Sequence, residues 1–178
     1  MNIDARPAVV AEKTRLGDWE ADTVIGKNHK GVLVTLTERV SKFTLAIPVV
    51  AKTAELVQQA ITNQLNLLKD WVYTITFDNG REFCHHQKIA ALLACDTYFA
   101  KPYHSWERGL NENHNGLLRQ YFPKNEQLDG VSSSEVFQAV HQLNHRPRKT
   151  LGYKTPYEVF CQLANLDVDF LSSVAFIT

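Results

Sequence analysis

Three acids in this chain stand where a metal ion could use them. Asp22 lies inside Gly17-Asp18-Trp19-Glu20-Ala21-Asp22-Thr23-Val24. Asp78 ends the apolar run Trp71-Val72-Tyr73-Thr74-Ile75-Thr76-Phe77 and is followed at once by Asn79-Gly80. Glu112 lies in Asn111-Glu112-Asn113-His114-Asn115-Gly116, with 33 residues between it and Asp78. Hard divalent cations prefer carboxylate oxygens, usually only a few, and complete their shell with water and phosphate. Two such ions about 3.5–4 Å apart can make a nucleophile reactive, stabilise a leaving oxygen and neutralise a pentavalent phosphorus centre. The three acids are therefore read as one site for phosphodiester chemistry, holding two Mg²⁺ or Mn²⁺ ions.

Each acid also has an ordinary explanation. Asp before Asn-Gly is a common turn after a strand. A Glu near the start of a helix is favoured by the helix dipole alone. Asp22 inside a strand is harder to dismiss, because a buried carboxylate is costly unless it is paired or bound to metal. Asp18 and Glu20 compete for the role of Asp22, and Glu82 for that of Glu112. His141 and His145 have i, i+4 spacing without a further ligand, which reads as a helix with two histidines rather than a zinc site.

The elements that must position these acids follow from periodicity. Asp18 to Ile25 reads as a strand, with Asp22 on the same side as Glu20 and Val24. Gly31 to Thr37 is apolar on both faces and so central. Lys42 to Val49 alternates, and Pro48, which cannot donate to a ladder, places it at an edge. Short turns join these three into an antiparallel meander. Thr53 is a good N-cap for a helix reaching Leu68. Trp71 to Phe77 is a fourth strand, free to run parallel because a helix precedes it. A short helix (Gln87 to Ala94), a fifth strand (Thr97 to Ala100), a loop (Lys101 to Leu110) and a helix (Asn111 to Phe122) follow. Ser132 and Thr155, each with Glu three residues on, open two further helices through capping boxes. The fold class is α/β, with a mixed five-stranded sheet, antiparallel meander plus parallel strands, flanked by helices. This order resembles a ribonuclease-H-like domain. In such a domain Asp22 and Asp78 meet on neighbouring strands, and Glu112 reaches the same edge. Residues 1–15 read as a linker or arm, 16–165 as the core and 166–178 as a C-terminal tail that docks on it.

Composition excludes several classes. With 178 residues, 44% hydrophobic and 21% charged, the chain has the makings of one globular domain. Cys84, Cys95 and Cys161 are odd in number and unpaired in spacing, which suits reduced thiols in a cytosol. No apolar run approaches a membrane span, so no membrane partner is expected. The net charge is zero, which argues against holding nucleic acid by charge alone. Basic residues nevertheless cluster, Lys101, Arg108, Arg119 and Lys124 around Glu112 and Arg146, Arg148, Lys149 and Lys154 further on.

The three acid-bearing stretches closely resemble the catalytic core of the insertion-sequence-thirty family of bacterial DDE transposases. The resemblance rests on the run around Asp22, on Phe77-Asp78-Asn79-Gly80-Arg81-Glu82-Phe83, and on Tyr103 to Lys124. Leu143-Asn144-His145-Arg146-Pro147-Arg148-Lys149-Thr150-Leu151-Gly152-Tyr153-Lys154-Thr155-Pro156 resembles the tail of the same integrase core. The family is part of the retroviral-integrase-like superfamily. The resemblance implies a DDE triad of Asp22, Asp78 and Glu112. It implies metal-dependent cleavage at transposon ends, then attack of the freed 3′-OH on target DNA, by a homodimer or larger assembly at the bacterial nucleoid. Trp106 and Arg108 beside Glu112 are candidates to stack on a base and hold a phosphate. Asn115, Arg119 and Lys124 are candidates to touch DNA. Relatives carry an N-terminal helix-turn-helix that finds the ends, and none is read before Arg15, so the chain is expected to be a fragment. The competing expectations are a decayed core that only binds DNA or oligomerises, and a general ribonuclease-H-like nuclease.

Overall fold

The computed structural model describes residues 1–101 and 109–167, and the side chains of residues 109, 111 and 112 lie outside that description. One five-stranded sheet organises the chain, in the order β3-β2-β1-β4-β5. β1 (Asp18–Ile25), β2 (Val32–Glu38) and β3 (Thr44–Val49) form the antiparallel meander. β4 (Thr74–Phe77) and β5 (Asp96–Phe99) run parallel to β1 and to each other. β3, the strand carrying Pro48, lies at the edge, as its missing N–H requires.

The helices are α1 (Ala8–Glu12), α2 (Ala54–Asn66), α3 (His86–Leu93), α4 (Gly109–Leu118), α5 (Ser133–Asn144) and α6 (Pro156–Ala164). They cover both faces of the sheet, and the alternation along β1 and β2 says which face each takes. Trp19, Ala21, Val34 and Leu36 face a core closed by Val57, Ile61 and Leu65 of α2, Ile89 and Leu93 of α3, and Tyr157 and Phe160 of α6. Val24 and Leu33, on the opposite pleat, pack against Leu118 of α4 and Val136, Val140 and Leu143 of α5. α5 and α6 each start with a complete capping box, from Ser132 and Glu135 and from Thr155 and Glu158.

Three boundaries depart from the periodicity. Residues 1–15 are not a free arm. The Met1 amino group donates to the Thr97 carbonyl, Asn2 bridges to Phe99, and Ile3 and Val10 are buried. Their apolar side chains are too sparsely spaced to show a period, yet they close the open edge of β5. The fourth strand starts three residues late, at Thr74. Lys69–Trp71 is instead a 3-10 turn, and the Trp71 carbonyl accepts a hydrogen bond from the Trp19 indole at 2.8 Å. α4 ends before Phe122, because the chain tightens through Gln120 N–H to Leu117 O while Arg119 turns to the Phe122 and Ile25 carbonyls. The expected docking of the tail falls largely on residues 168–178, outside the described residues.

Asn144 pins α5 to the sheet edge. Its side-chain amide accepts from Thr44 N–H at 2.9 Å and donates to Thr44 C=O at 2.8 Å, imitating a strand partner where β3 has none. All of these groups are buried. Asn144→Ala is therefore expected to cost about 2–3 kcal/mol in urea unfolding, since it leaves two backbone groups unpaired. A change below about 0.5 kcal/mol would mean that water replaces the amide without loss.

Candidate active site

The parallel pairing of β1 with β4 ends two residues before the first two acids. Asp18 pairs with Thr74, Trp19 with Ile75 and Glu20 with Thr76. Carried two residues past its last pair, the same register would set Asp22, in the middle of β1, level with Asp78, just past the end of β4; neighbouring strands lie about 4.8 Å apart. Both acids are half-buried. That suits a carboxylate facing a cleft better than one buried in a core.

Each acid is held by its surroundings. Asp22 Oδ1 accepts from the Thr23 N–H at 2.8 Å, and Oδ2 from the Asn115 side-chain amide at 3.1 Å. Asn115 is oriented in turn by Thr35, whose hydroxyl donates to its Oδ1 at 3.2 Å. Thr35 is the cross-strand partner of Asp22 on β2, so one amide from α4 clamps a pair that the sheet had already aligned. Asp78 Oδ1 accepts from the Gly80 N–H at 2.8 Å, closing an Asx turn, and Asn79 donates to the Ala100 carbonyl at 2.7 Å. The loop after β4 is thereby tied to the end of β5.

The rival acids have other employment. Asp18 accepts from Arg15 at 2.7 Å and from the Thr74 hydroxyl at 2.8 Å. Glu20 forms an ion pair with Arg39, and both are buried. Glu82, also buried, takes Lys52 Nζ at 2.7 Å and the Thr23 hydroxyl at 3.2 Å. Its carboxylate folds back under Gly80, where a Cβ would come within 2.3 Å of Oε2, so any larger residue there would displace the Glu82 carboxylate. Thr23 thus links Asp22, through its N–H, to Glu82, through its hydroxyl. That linkage is not visible in the sequence, because Glu82 lies 59 positions from Thr23.

Of the other candidates, Asn115 reaches Asp22 as described. Arg119 turns its guanidinium to the Ile25 carbonyl at 2.8 Å, bracing α4 against the end of β1, and Lys124 is exposed. Trp106 and Arg108 lie outside the described residues, as does the Glu112 side chain. Helical register puts Glu112 three residues before Asn115 on α4, the helix that already touches Asp22. Among the described residues no three His, Cys, Asp or Glu side chains form a metal-holding group. The donor chemistry of Asp22 and Asp78 nonetheless fits a hard divalent cation: two carboxylates at one sheet edge, oriented by hydrogen bonds from neutral donors. No described helix is long and apolar enough to cross a membrane.

His114 faces away from Asn115 on α4. It is buried, and burial pulls its pKa down from 6.5 to about 4, against a hydrogen bond to the Leu110 carbonyl that works the other way. The unfolded chain thus takes up a proton near pH 6.5 that the folded chain refuses until about pH 4. Stability present above pH 6.5 is lost as pH falls through this window, by about 3 kcal/mol in total for this one group. Urea unfolding of His114→Gln between pH 7 and 4 should lack that part of the slope; an unchanged slope would show that His114 titrates normally.

A meander followed by two strands parallel to its first, with helices on both faces, defines a ribonuclease-H-like fold. The catalytic core domain of bovine immunodeficiency virus integrase superposes with a TM-score of 0.61 at 23% identity, covering 83% of this chain and 95% of that one. A chain of the simian T-cell lymphotropic virus intasome in complex with the PP2A regulatory subunit B56 gamma superposes with a TM-score of 0.67 at 20% identity, covering 82% and 54%. Residues 13–105 match the integrase core domain family, and the chain belongs to that family. It is 46% identical over 165 residues to the transposase for insertion sequence element IS4351 of Bacteroides fragilis, covering 93% of this chain and 51% of that protein. It is 37% identical over 158 residues to the transposase InsI for insertion sequence element IS30A of Escherichia coli K12, covering 88% and 41%. The resemblance read from the motifs is borne out, and the chain spans about half the length of the curated relatives it matches.

Proposed function

We propose that this chain is the catalytic core of a DDE transposase, which cleaves DNA at transposon ends and joins the freed 3′-OH to target DNA. The observation that supports this reading is the parallel pairing of β1 with β4, which, carried two residues further, would level Asp22 with Asp78 beside the helix that bears Glu112. Bound at Asp22, Asp78 and Glu112, two Mg²⁺ or Mn²⁺ ions would supply the charge that a phosphoryl-transfer transition state needs. Divalent-metal chemistry on DNA is general in the family, which supports the assignment.

The chain's own residues then have distinct parts. Asn115 and the Thr23 N–H fix both oxygens of Asp22, so the carboxylate does not reorganise during reaction. The Asx turn at Gly80 holds Oδ1 of Asp78. Lys52, held at the site's margin by Glu82 and partly exposed, is placed to meet a backbone phosphate. Trp106, Arg108, Arg119 and Lys124 are proposed as further DNA contacts. For Arg119 this would take a donor not already turned to Ile25 or Phe122. The DNA ends, the target DNA and a homodimer or larger assembly remain the proposed partners, at the bacterial nucleoid.

The test is an oligonucleotide assay. Incubated with Mg²⁺, the chain should nick duplex DNA to leave a 3′-OH and join that end to a second duplex. Cleavage of RNA–DNA hybrid with no joining would instead make it a general nuclease.

A further inference from the structure

α4 has a second working face. Leu110, Asn113 and His114 recur at helical spacing and turn away from Asn115, towards a cavity of about 600 Å³. Its other walls come from Lys13, from Arg39 and Lys42 around the β2–β3 turn, and from Arg148 in the segment before α6. Four basic side chains thus line one hollow in a chain whose net charge is zero.

Among the described residues their charges are only partly offset, by Glu20 and Glu38 near Lys42. Arg39 is paired with Glu20. Among the described residues Lys13, Lys42 and Arg148 pair with no carboxylate. The nearby Glu38 is occupied by Ser41, Val40 N–H and Gly17 N–H. Arg146 adds a like charge beside Arg148. Lys42 stands on backbone with φ of 65°, a conformation that glycine or asparagine would hold at less cost, and its ammonium donates to the Arg39 carbonyl. Burial, with Lys13 next, lowers its pKa to about 8. Like charges crowd here, and removal from water adds to the cost.

One buried donor of this wall has no partner among the described residues. The Arg148 Nε–H, on a group that stays charged, has no acceptor there, although its NH2 donates to the Leu143 carbonyl at 3.0 Å. His114, 3% exposed, lines the wall with its Nδ1–H turned to the Leu110 carbonyl. Orphaned buried groups are rare in native folds and call for an absent partner. An anion answers both the unpaired Arg148 donor and the crowding of cations. It would accept from Arg148 Nε–H, sit between Lys42 and Lys13, and relieve their repulsion. An oxyanion with several acceptors suits a guanidinium edge with two ammonium groups better than a halide does.

We infer that the cavity between α4 and the β2–β3 turn is a binding site for a phosphate group, on the side of α4 away from Asp22. It stands independently of the catalytic reading. The phosphate can belong to a nucleic-acid backbone or to a free phosphate compound, and one experiment separates the two sources.

The probe is inorganic phosphate, titrated against the full chain by calorimetry and thermal unfolding, with sodium chloride of equal ionic strength as control. Saturable binding and a rise in Tm are expected. Arg148→Gln and Lys42→Gln should each weaken the affinity at least tenfold, whereas Asp78→Asn should not change it. Lys42→Gln serves where Arg148→Gln fails to fold, because it leaves the Leu143 contact intact. A second arm measures binding of a duplex of arbitrary sequence as salt is varied. If the phosphate is a DNA phosphate, the duplex competes with inorganic phosphate, and Lys42→Gln lowers the salt slope by about one. If it is a free compound, the duplex neither competes nor responds to Lys42→Gln, while phosphate binding is still lost. Phosphate binding no better than chloride, or equal in parent and Lys42→Gln, overturns the inference.

Discussion

Asp78→Asn is expected to lower Mg²⁺-dependent DNA cleavage by about 10³-fold or more while the chain stays folded. The factor corresponds to about 4 kcal/mol of transition-state stabilisation, the order that a catalytic cation supplies through its ligand. The fold survives because an asparagine Oδ1 can still accept the Gly80 N–H that closes the turn, and Asn79 still reaches Ala100. What is lost is the negative charge at the end of β4. The measurement is single-turnover cleavage beside circular dichroism and urea unfolding. More than a tenth of parental activity would mean that Asp78 is only a turn residue, the ordinary explanation of Asp before Asn-Gly.

The second large effect concerns stability. Arg39→Met should destabilise the chain by about 3–5 kcal/mol, because it strands the Glu20 carboxylate, 1% exposed, without its cation. It also removes the hydrogen bond from Arg39 Nε to the Val10 carbonyl at 3.2 Å, which holds α1 against the sheet. The double variant Glu20→Gln with Arg39→Met should lose less than the two singles added together, since the stranded charge is gone. Losses that simply add, or an Arg39→Met effect below about 1 kcal/mol, would show that water reaches Glu20. Glu20 lies two residues before Asp22 on the same strand face, so this pair also anchors the strand that carries the first acid.

What the sequence made legible follows from what its residues do locally. β1 was readable to the residue because Trp, Thr, Val and Ile favour a pleat over a single uninterrupted run. The edge position of β3 was readable because Pro48 lacks a donor. The starts of α2, α5 and α6 were readable because capping is a local bond between residues three apart. The parallel pairing of β1 with β4 was readable because a helix precedes the fourth strand. The rest was hidden because it depends on partners distant in sequence. Nothing near Glu20 announces Arg39, and nothing near Glu82 announces Lys52 and Thr23. The first fifteen residues looked like an arm because their contacts are with Thr97 and Phe99, more than ninety positions away. Asn115 was expected at DNA; that its amide reaches Asp22 is something only the packing of α4 on β1 and β2 reveals.

The central claim is that Asp22, Asp78 and Glu112 share divalent cations. Its most direct test is a crystal of the chain soaked in Mn²⁺, with anomalous diffraction recorded at the manganese edge. The account predicts manganese peaks within about 2.0–2.4 Å of carboxylate oxygens of residues 22 and 78, with Glu112 completing the shell of at least one ion. An anomalous map with manganese elsewhere and none between Asp22 and Asp78 would contradict it.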